Sequence, residues 1–163
     1  EFSRMEDGRF TLSVAPLDLK AELEDAVYTY TEFFRKEGIA LEYFDGPEEE
    51  LPISGDPERL RQVFCNLLDN AAKHGGAGKR IDVTVRQEGE EAVIAIRDYG
   101  PGAPEGELPF LKNKFYKGSS KARGSGIGLA VCEEIVTRHE GRMDVSNAEG
   151  GGFQVTIRLP IEN

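Results

Sequence analysis

The chain has 163 residues, 39% of them hydrophobic, enough for one compact domain with a single core and too few for a second. A formal net charge of −10 and a pI near 4.8 argue against a nucleic-acid-binding surface, which needs Lys and Arg clustered on one face. Cys65 and Cys132 lie in apolar helical patterns with no C-x-x-C or His/Cys cluster, and no apolar run approaches the ~18 residues of a membrane span, so a disulfide scaffold, a zinc site and a spanning segment are not expected.

Residues 1–9 are polar and end at Asp7-Gly8-Arg9, as the tail of a helix closed by glycine does, so 1–10 reads as a connector and 11–163 as the domain. The start at Glu1-Phe2-Ser3-Arg4 instead of a methionine reads as a fragment of a longer protein. A helix is predicted over 18–36, where Leu19, Leu23, Ala26, Val27, Tyr30, Phe33 and Phe34 recur at helical spacing, with Gly38 as its stop. Residues 39–44 alternate as a strand, an acidic turn occupies 46–50, and a short stretch follows at 51–54. Asp56-Pro57 is a helix start, because the Asp side chain caps orphan N–H groups and Pro in the first turn loses no bond. That helix should reach about His74.

Strands at 81–86 and 92–97 form a hairpin around Glu88-Gly89-Glu90, and a Gly- and Lys-rich loop fills 99–126. A helix over 127–139 stops at Gly141, and strands at 143–146 and 153–159 flank Gly150-Gly151-Gly152. This order predicts a two-layer α/β sandwich, a mixed sheet with helices on one face. The long loop fits a functional lid.

Four stretches carry candidate chemistry. On the helix from Asp56, Asn66, Asn70 and Lys73, with His74 at the edge, flank the apolar stripe, where amides can face Mg²⁺ and lysine phosphate. A solvated face gives the same pattern. In Asp98-Tyr99-Gly100-Pro101-Gly102, a strand-end carboxylate can accept from an adenine amino group while glycines let a base approach. A surface Asp in a Gly-Pro turn fits equally. Lys112, Lys114, Lys117, Lys121 and Arg123 form a basic run with no acidic residue inside an acidic chain, suited to closing over polyphosphate or to plain solvation. Gly124-Ser125-Gly126-Ile127-Gly128-Leu129 precedes a helix, whose N-terminus is an anion site. Its spacing is neither the dinucleotide fingerprint nor a P-loop.

In this order the stretches resemble the histidine-kinase branch of the GHKL ATP-binding superfamily, whose fold is the Bergerat fold. Residues 66–74 are similar to its N box, 98–102 to its G1 box, 110–116 to its F-box region and 124–129 to its G2 box. Lys112 departs from the pattern, standing where many members have the first F-box phenylalanine, and the lid looks slightly shortened after Gly118. The resemblance implies that Asn70 binds Mg²⁺ with support from Asn66, and that Lys73 and His74 face phosphate or ribose. Asp98 with Gly100 and Gly102 would take the adenine, Tyr116, Lys117, Lys121 and Arg123 would belong to the lid, and Gly124, Ser125, Gly126, Ile127, Gly128 and Leu129 would hold phosphates. It implies ATP and Mg²⁺ as cofactors, a dimerisation and phosphoacceptor domain joined at the connector, a response-regulator receiver domain as partner, and a cytoplasmic position in a membrane-anchored sensor.

Water-activating ATPases and anti-sigma serine kinases of the superfamily are similar to one another in placing Glu four residues before the metal-binding Asn. This chain has Asn66 there, and an amide cannot act as a general base near neutral pH. The chain's own histidines, His74 in the N box and His139 at a helix end, lie outside an acceptor context, so the phosphorylated histidine is expected on another domain. A non-catalytic nucleotide-binding or protein-interaction module of the same fold, or an anti-sigma-type serine kinase, is the alternative.

Overall fold

The computed structural model describes residues 11–111 and 128–162, and opens on a strand that the sequence patterns did not suggest, β1 (Ala15–Asp18). Asp18 then caps helix α1 (Leu19–Arg35). Its Oδ1 accepts from Lys20 N at 3.1 Å and, across the chain, from Leu51 N at 2.8 Å. Strand β2 (Ala40–Asp45) follows, then β3 (Pro52–Gly55), which pairs antiparallel with β1 in a separate two-stranded sheet.

Helix α2 (Pro57–Gly75) starts as its sequence predicts, with Asp56 Oδ1 accepting from Arg59 N at 3.2 Å and Pro57 in the first turn. A single 3₁₀ turn (Gly76–Gly78) leads into β4 (Arg80–Glu88), which forms a hairpin with β5 (Glu91–Asp98). After the central part of the chain come α3 (Gly128–Arg138), β6 (Arg142–Asn147) and β7 (Phe153–Pro160).

The main sheet has the order β2-β4-β5-β7-β6, with β2 and β4 parallel and every other pair antiparallel. Period-two alternation sends Ile81, Val83 and Val85 of β4, Ala92, Ile94 and Ile96 of β5, and Val155, Ile157 and Leu159 of β7 to one face, where all are buried. Leu60, Val63, Phe64, Leu67 and Leu68 of α2 cover them, while α1 lies over β2 and α3 over β6. This is the expected two-layer sandwich with its helices on one face.

The loop after β5 departs from expectation in its first part. It contains a 3₁₀ helix (Glu105–Phe110), and Ala103 and Leu111 are buried. The Asn147 side chain on β6 satisfies both main-chain groups of Ala103, accepting from its N and donating to its O, each at 2.8 Å. An edge strand thus extends its bonding through one amide. No helix among the described residues is long and apolar enough to cross a membrane.

Because Asp18 serves a helix cap and a 33-residue tie to Leu51 with one carboxylate, its loss orphans two N–H groups. Asp18→Ala should lower the unfolding free energy by about 1–2 kcal/mol. Urea denaturation checks this through the midpoint, and an unshifted midpoint counts against the double role.

Candidate functional site

The inward row of β5 runs Ala92, Ile94, Ile96 and ends on Asp98, so strand geometry turns that carboxylate toward the helices. Asp98 is 1% exposed. Burying a carboxylate is costly unless its oxygens accept hydrogen bonds, and Oδ1 accepts from Gly100 N at 3.0 Å and from Phe153 N at 3.2 Å. The end of β5, the turn behind it and the start of β7 therefore converge on one side chain.

Helix α2 closes the site from above. A Cβ on Gly75, the last residue of α2, would lie 2.0 Å from Asp98 Cγ, and one on Gly100 would lie 2.5 Å from Gly75 Cα. Gly152 closes it from the side. Its φ of +99° favours glycine, and a Cβ there would sit 1.9 Å from Asp98 O. Gly100 and Gly102 have a packing duty: Gly100 lets helix and strand touch, and Gly102 fits against Asn147.

Behind the sheet, Arg97 secures the same turn. Its guanidinium donates to Gly151 O at 2.7 Å and stacks on the Tyr99 ring at 4.0 Å, while Tyr99 donates its hydroxyl proton to Asp82 at 2.6 Å. Burial and the Asp82 carboxylate raise the Tyr99 phenol above its ordinary value, the hydrogen bond to Asp82 contributing most.

From Gly75 the N-box stretch runs back along α2. Asn70 and Asn66 lie about 7.5 and about 13.5 Å further along the axis at helical rise, and both are half-buried. His74 is half-buried beside Gly75, and Lys73 is exposed, lining a hollow of about 230 Å³ with Phe33, Phe34, Glu37, Asp69 and Ala72. Helix α3 runs antiparallel to α2: His139 beyond its end meets Asp56 at the start of α2, and Cys132 Sγ faces Val63 O at 3.8 Å. Counting back one turn from Cys132 puts the α3 N-terminus level with the Asn66 to Asn70 stretch. Its N–H groups and the two amides then border one space, a suitable lining for an anion and its counter-cation.

Burial pushes the Cys132 thiol up to about 12, and the Asn66 side chain beside it offsets only part of that shift. A thiol so held is a core group and neither a nucleophile nor a metal ligand. Both cysteines are free of disulfides, as their sequence context indicates. Among the described residues no cluster of three or more His, Cys, Asp or Glu could hold a metal.

Of the G2 stretch, Gly128 is exposed at the first position of α3, whereas Leu129 is a core side chain, which leaves only its main chain to a ligand. Tyr116, Lys117, Lys121, Arg123, Gly124, Ser125, Gly126 and Ile127 lie outside the described residues, as does the connector. Gly75, Gly152 and Phe153 were not among the expected site residues, though the run Gly75-Gly76-Ala77-Gly78 at a helix end and the triple glycine were visible signals.

Residues 55–163 match the histidine kinase-, DNA gyrase B- and HSP90-like ATPase family, and the chain belongs to that family. Among curated relatives it is 30% identical over 166 residues to the signal transduction histidine-protein kinase BaeS of Escherichia coli, an alignment covering 99% of this chain and 35% of BaeS. The chain therefore spans about a third of that relative's length. Among solved structures it is 26% identical to the ATP-binding domain of PrrB from Mycobacterium tuberculosis, with a TM-score of 0.73 over 93% of this chain and 99% of that one. It shares the fold of the catalytic domain of histidine kinase ThkA, with a TM-score of 0.79 at 24% identity over 91% of this chain and 96% of that one. The domain is of the histidine-kinase, ATP-binding type.

The glycine cradle can be tested alone. Gly75→Ala forces a methyl into the Asp98 carboxylate and should cost about 1–3 kcal/mol of stability, whereas Gly106→Ala, which meets nothing within 4 Å, should be neutral within about 0.5 kcal/mol. Thermal unfolding of both variants compares them, and equal midpoints would remove the cradle argument.

Proposed function

We propose that this domain holds Mg-ATP with its adenine at Asp98 and its phosphates between Asn66, Asn70 and the start of α3, and donates the γ-phosphoryl group to a histidine on a separate dimerisation domain. The observation that carries this reading is the buried, inward-facing Asp98 carboxylate at a strand end, in line along α2 with two half-buried amides. Asn70, supported by Asn66, would hold the Mg²⁺, which when bound supplies charge neutralisation across the phosphates. Gly100 and Gly102 border the adenine, while His74 and Lys73 face ribose and phosphate.

The transfer itself needs little from this chain beyond placement. The γ-phosphoryl passes to an imidazole nitrogen of the acceptor and leaves ADP, and such transfers depend chiefly on alignment and charge stabilisation. Asn66 stands where a Glu would activate water or a hydroxyl, so neither hydrolysis nor serine phosphorylation is favoured. Nor does His139 suit the acceptor role, since it is 6% exposed with both ring nitrogens in hydrogen bonds. Relatives named as a signal transduction histidine-protein kinase and a sensor histidine kinase support a place in signal transduction, while a response-regulator receiver domain as the next partner and a cytoplasmic position in a membrane-anchored sensor follow from the family resemblance alone. Nucleic acid is not proposed as a partner.

Asp98→Asn keeps an oxygen for Gly100 N and Phe153 N but removes the charge offered to an exocyclic amine. ATP-analogue affinity should fall roughly tenfold to a hundredfold with little change in the unfolding curve. Unchanged affinity in a folded variant refutes the adenine assignment.

Mixed with labelled ATP, the chain alone should accumulate no phosphohistidine and hydrolyse ATP slowly, yet it should label a cognate dimerisation domain in trans. Acid-labile label on His74 or His139, or rapid hydrolysis, would overturn this division of labour. Nucleotide binding without transfer to any acceptor would favour the non-catalytic module instead.

A further inference from the structure

His139 is buried, titratable and unused by the proposed transfer. It follows the last turn of α3. Its contacts demand the neutral form. Nε2 accepts from Asp56 N at 3.0 Å, which leaves Nδ1 to donate to Ile135 O at 2.9 Å. Gly55, just before Asp56, makes room for the ring, since a Cβ there would stand 3.1 Å from His139 Cδ2.

Asp56 is itself a junction. Its Oδ1 caps α2 through Arg59 N, and its Oδ2 accepts at 2.8 Å from Ser13 N, where the chain enters the domain. One buried residue thus ties together the entering segment, the N-box helix and, through His139, the helix that follows the G2 stretch. Because α2 and α3 run antiparallel, a tie at this end sets how their other parts, Asn66 to Asn70 and the α3 N-terminus, face each other.

We propose that His139 is a positioning residue for the nucleotide site: its neutral imidazole locks α3 to the start of α2 at Asp56, and so holds the phosphate-binding ends of the two helices in register. The inference rests on the ATP-binding reading above. Protonation replaces the Nε2 lone pair with a second donor aimed at the Asp56 N–H, and the lock opens. A cavity of about 280 Å³ beside the ring, lined by Leu12, Val14, Ser54 and Ile161 among others, gives water a path to it. The charged groups facing the ring are the Asp56 carboxylate on α2, Arg138 and Glu140 next to it in sequence, and Glu162 beyond β7; β3 contributes only Ser54 and the entering segment only apolar side chains.

The test measures Mg-ATP-analogue affinity of the wild-type chain, His139→Leu and His139→Gln at about pH 8 and about pH 5.5, with thermal unfolding in parallel. Wild type should bind about tenfold more weakly at the acid pH, the size expected for one buried hydrogen bond. His139→Leu should bind about tenfold more weakly than wild type at about pH 8 and show no further loss on acidification, whereas His139→Gln, which keeps one donor and one acceptor, should recover most of the affinity at both pH values. An acid loss that persists in His139→Gln assigns the pH dependence to another group such as His74 and overturns the proposal. A folded His139→Leu that binds as wild type does also overturns it, and so does a wild-type profile flat with pH if His139→Leu fails to fold. Absence of wild-type binding at both pH values would instead refute the ATP-binding reading itself.

Discussion

The site is organised by one burial problem. Asp98 places an acidic group on the core-facing side of a strand, under a helix end, at 1% exposure. A carboxylate there is tolerated only where N–H groups reach it, and those of Gly100 and Phe153 do so only because the backbones around it approach without intervening side chains. Gly75 and Gly152 are consequences of that demand, and the Arg97 contacts with Tyr99 and Gly151 brace it from the solvent side of the sheet. An acidic group held this rigidly presents a fixed direction to a ligand's amino group, which is how a short polar contact gains selectivity for one base.

For the proposed Mg-ATP ligand, the charge of the chain poses the opposite problem at the phosphates. A protein of net charge −10 repels a polyanion at long range, so attraction has to come from groups effective at contact. The described residues provide the N-terminus of α3, the amides of Asn66 and Asn70, and Lys73. Partial charges and amide oxygens suit a phosphate chain that arrives with its own divalent counter-ion better than a bare one. The basic run between Lys112 and Arg123 adds cations in the same stretch of sequence that leads to α3.

The features legible in the sequence are those with local causes. The start of α2 was readable because Asp56 and Pro57 act within one turn, and the hairpin of β4 and β5 because alternation and a glycine turn lie within twenty residues. Strand β1 was not, since it is four half- to fully exposed residues whose partner β3 lies some forty positions away. The burial of Asp98 was not readable, because parity with Ile94 and Ile96 gives its face only once the inner face is known. Gly75, Gly152 and the His139 bond to Asp56 depend on contacts between distant segments, and no local pattern encodes those. The first third of the loop after β5 looked featureless for a similar reason, because its order comes from Asn147.

The same contrast bears on how the domain works. Around Asp98, where the adenine is proposed to sit, the closing elements are a strand terminus, a helix terminus and a glycine turn, and a methyl on Gly75, Gly100 or Gly152 would strike a neighbour. The proposed phosphate end, among the described residues, is bordered by two helices that are tied together at the junction at Asp56. That junction also holds Ser13, so the entering segment is tied directly to the start of α2. Under the proposed function, base selection and phosphate alignment then fall to different mechanical parts. A domain that, as proposed, holds ATP and transfers its phosphoryl group only when another domain is correctly placed gains from that separation, because alignment can change while adenine stays bound.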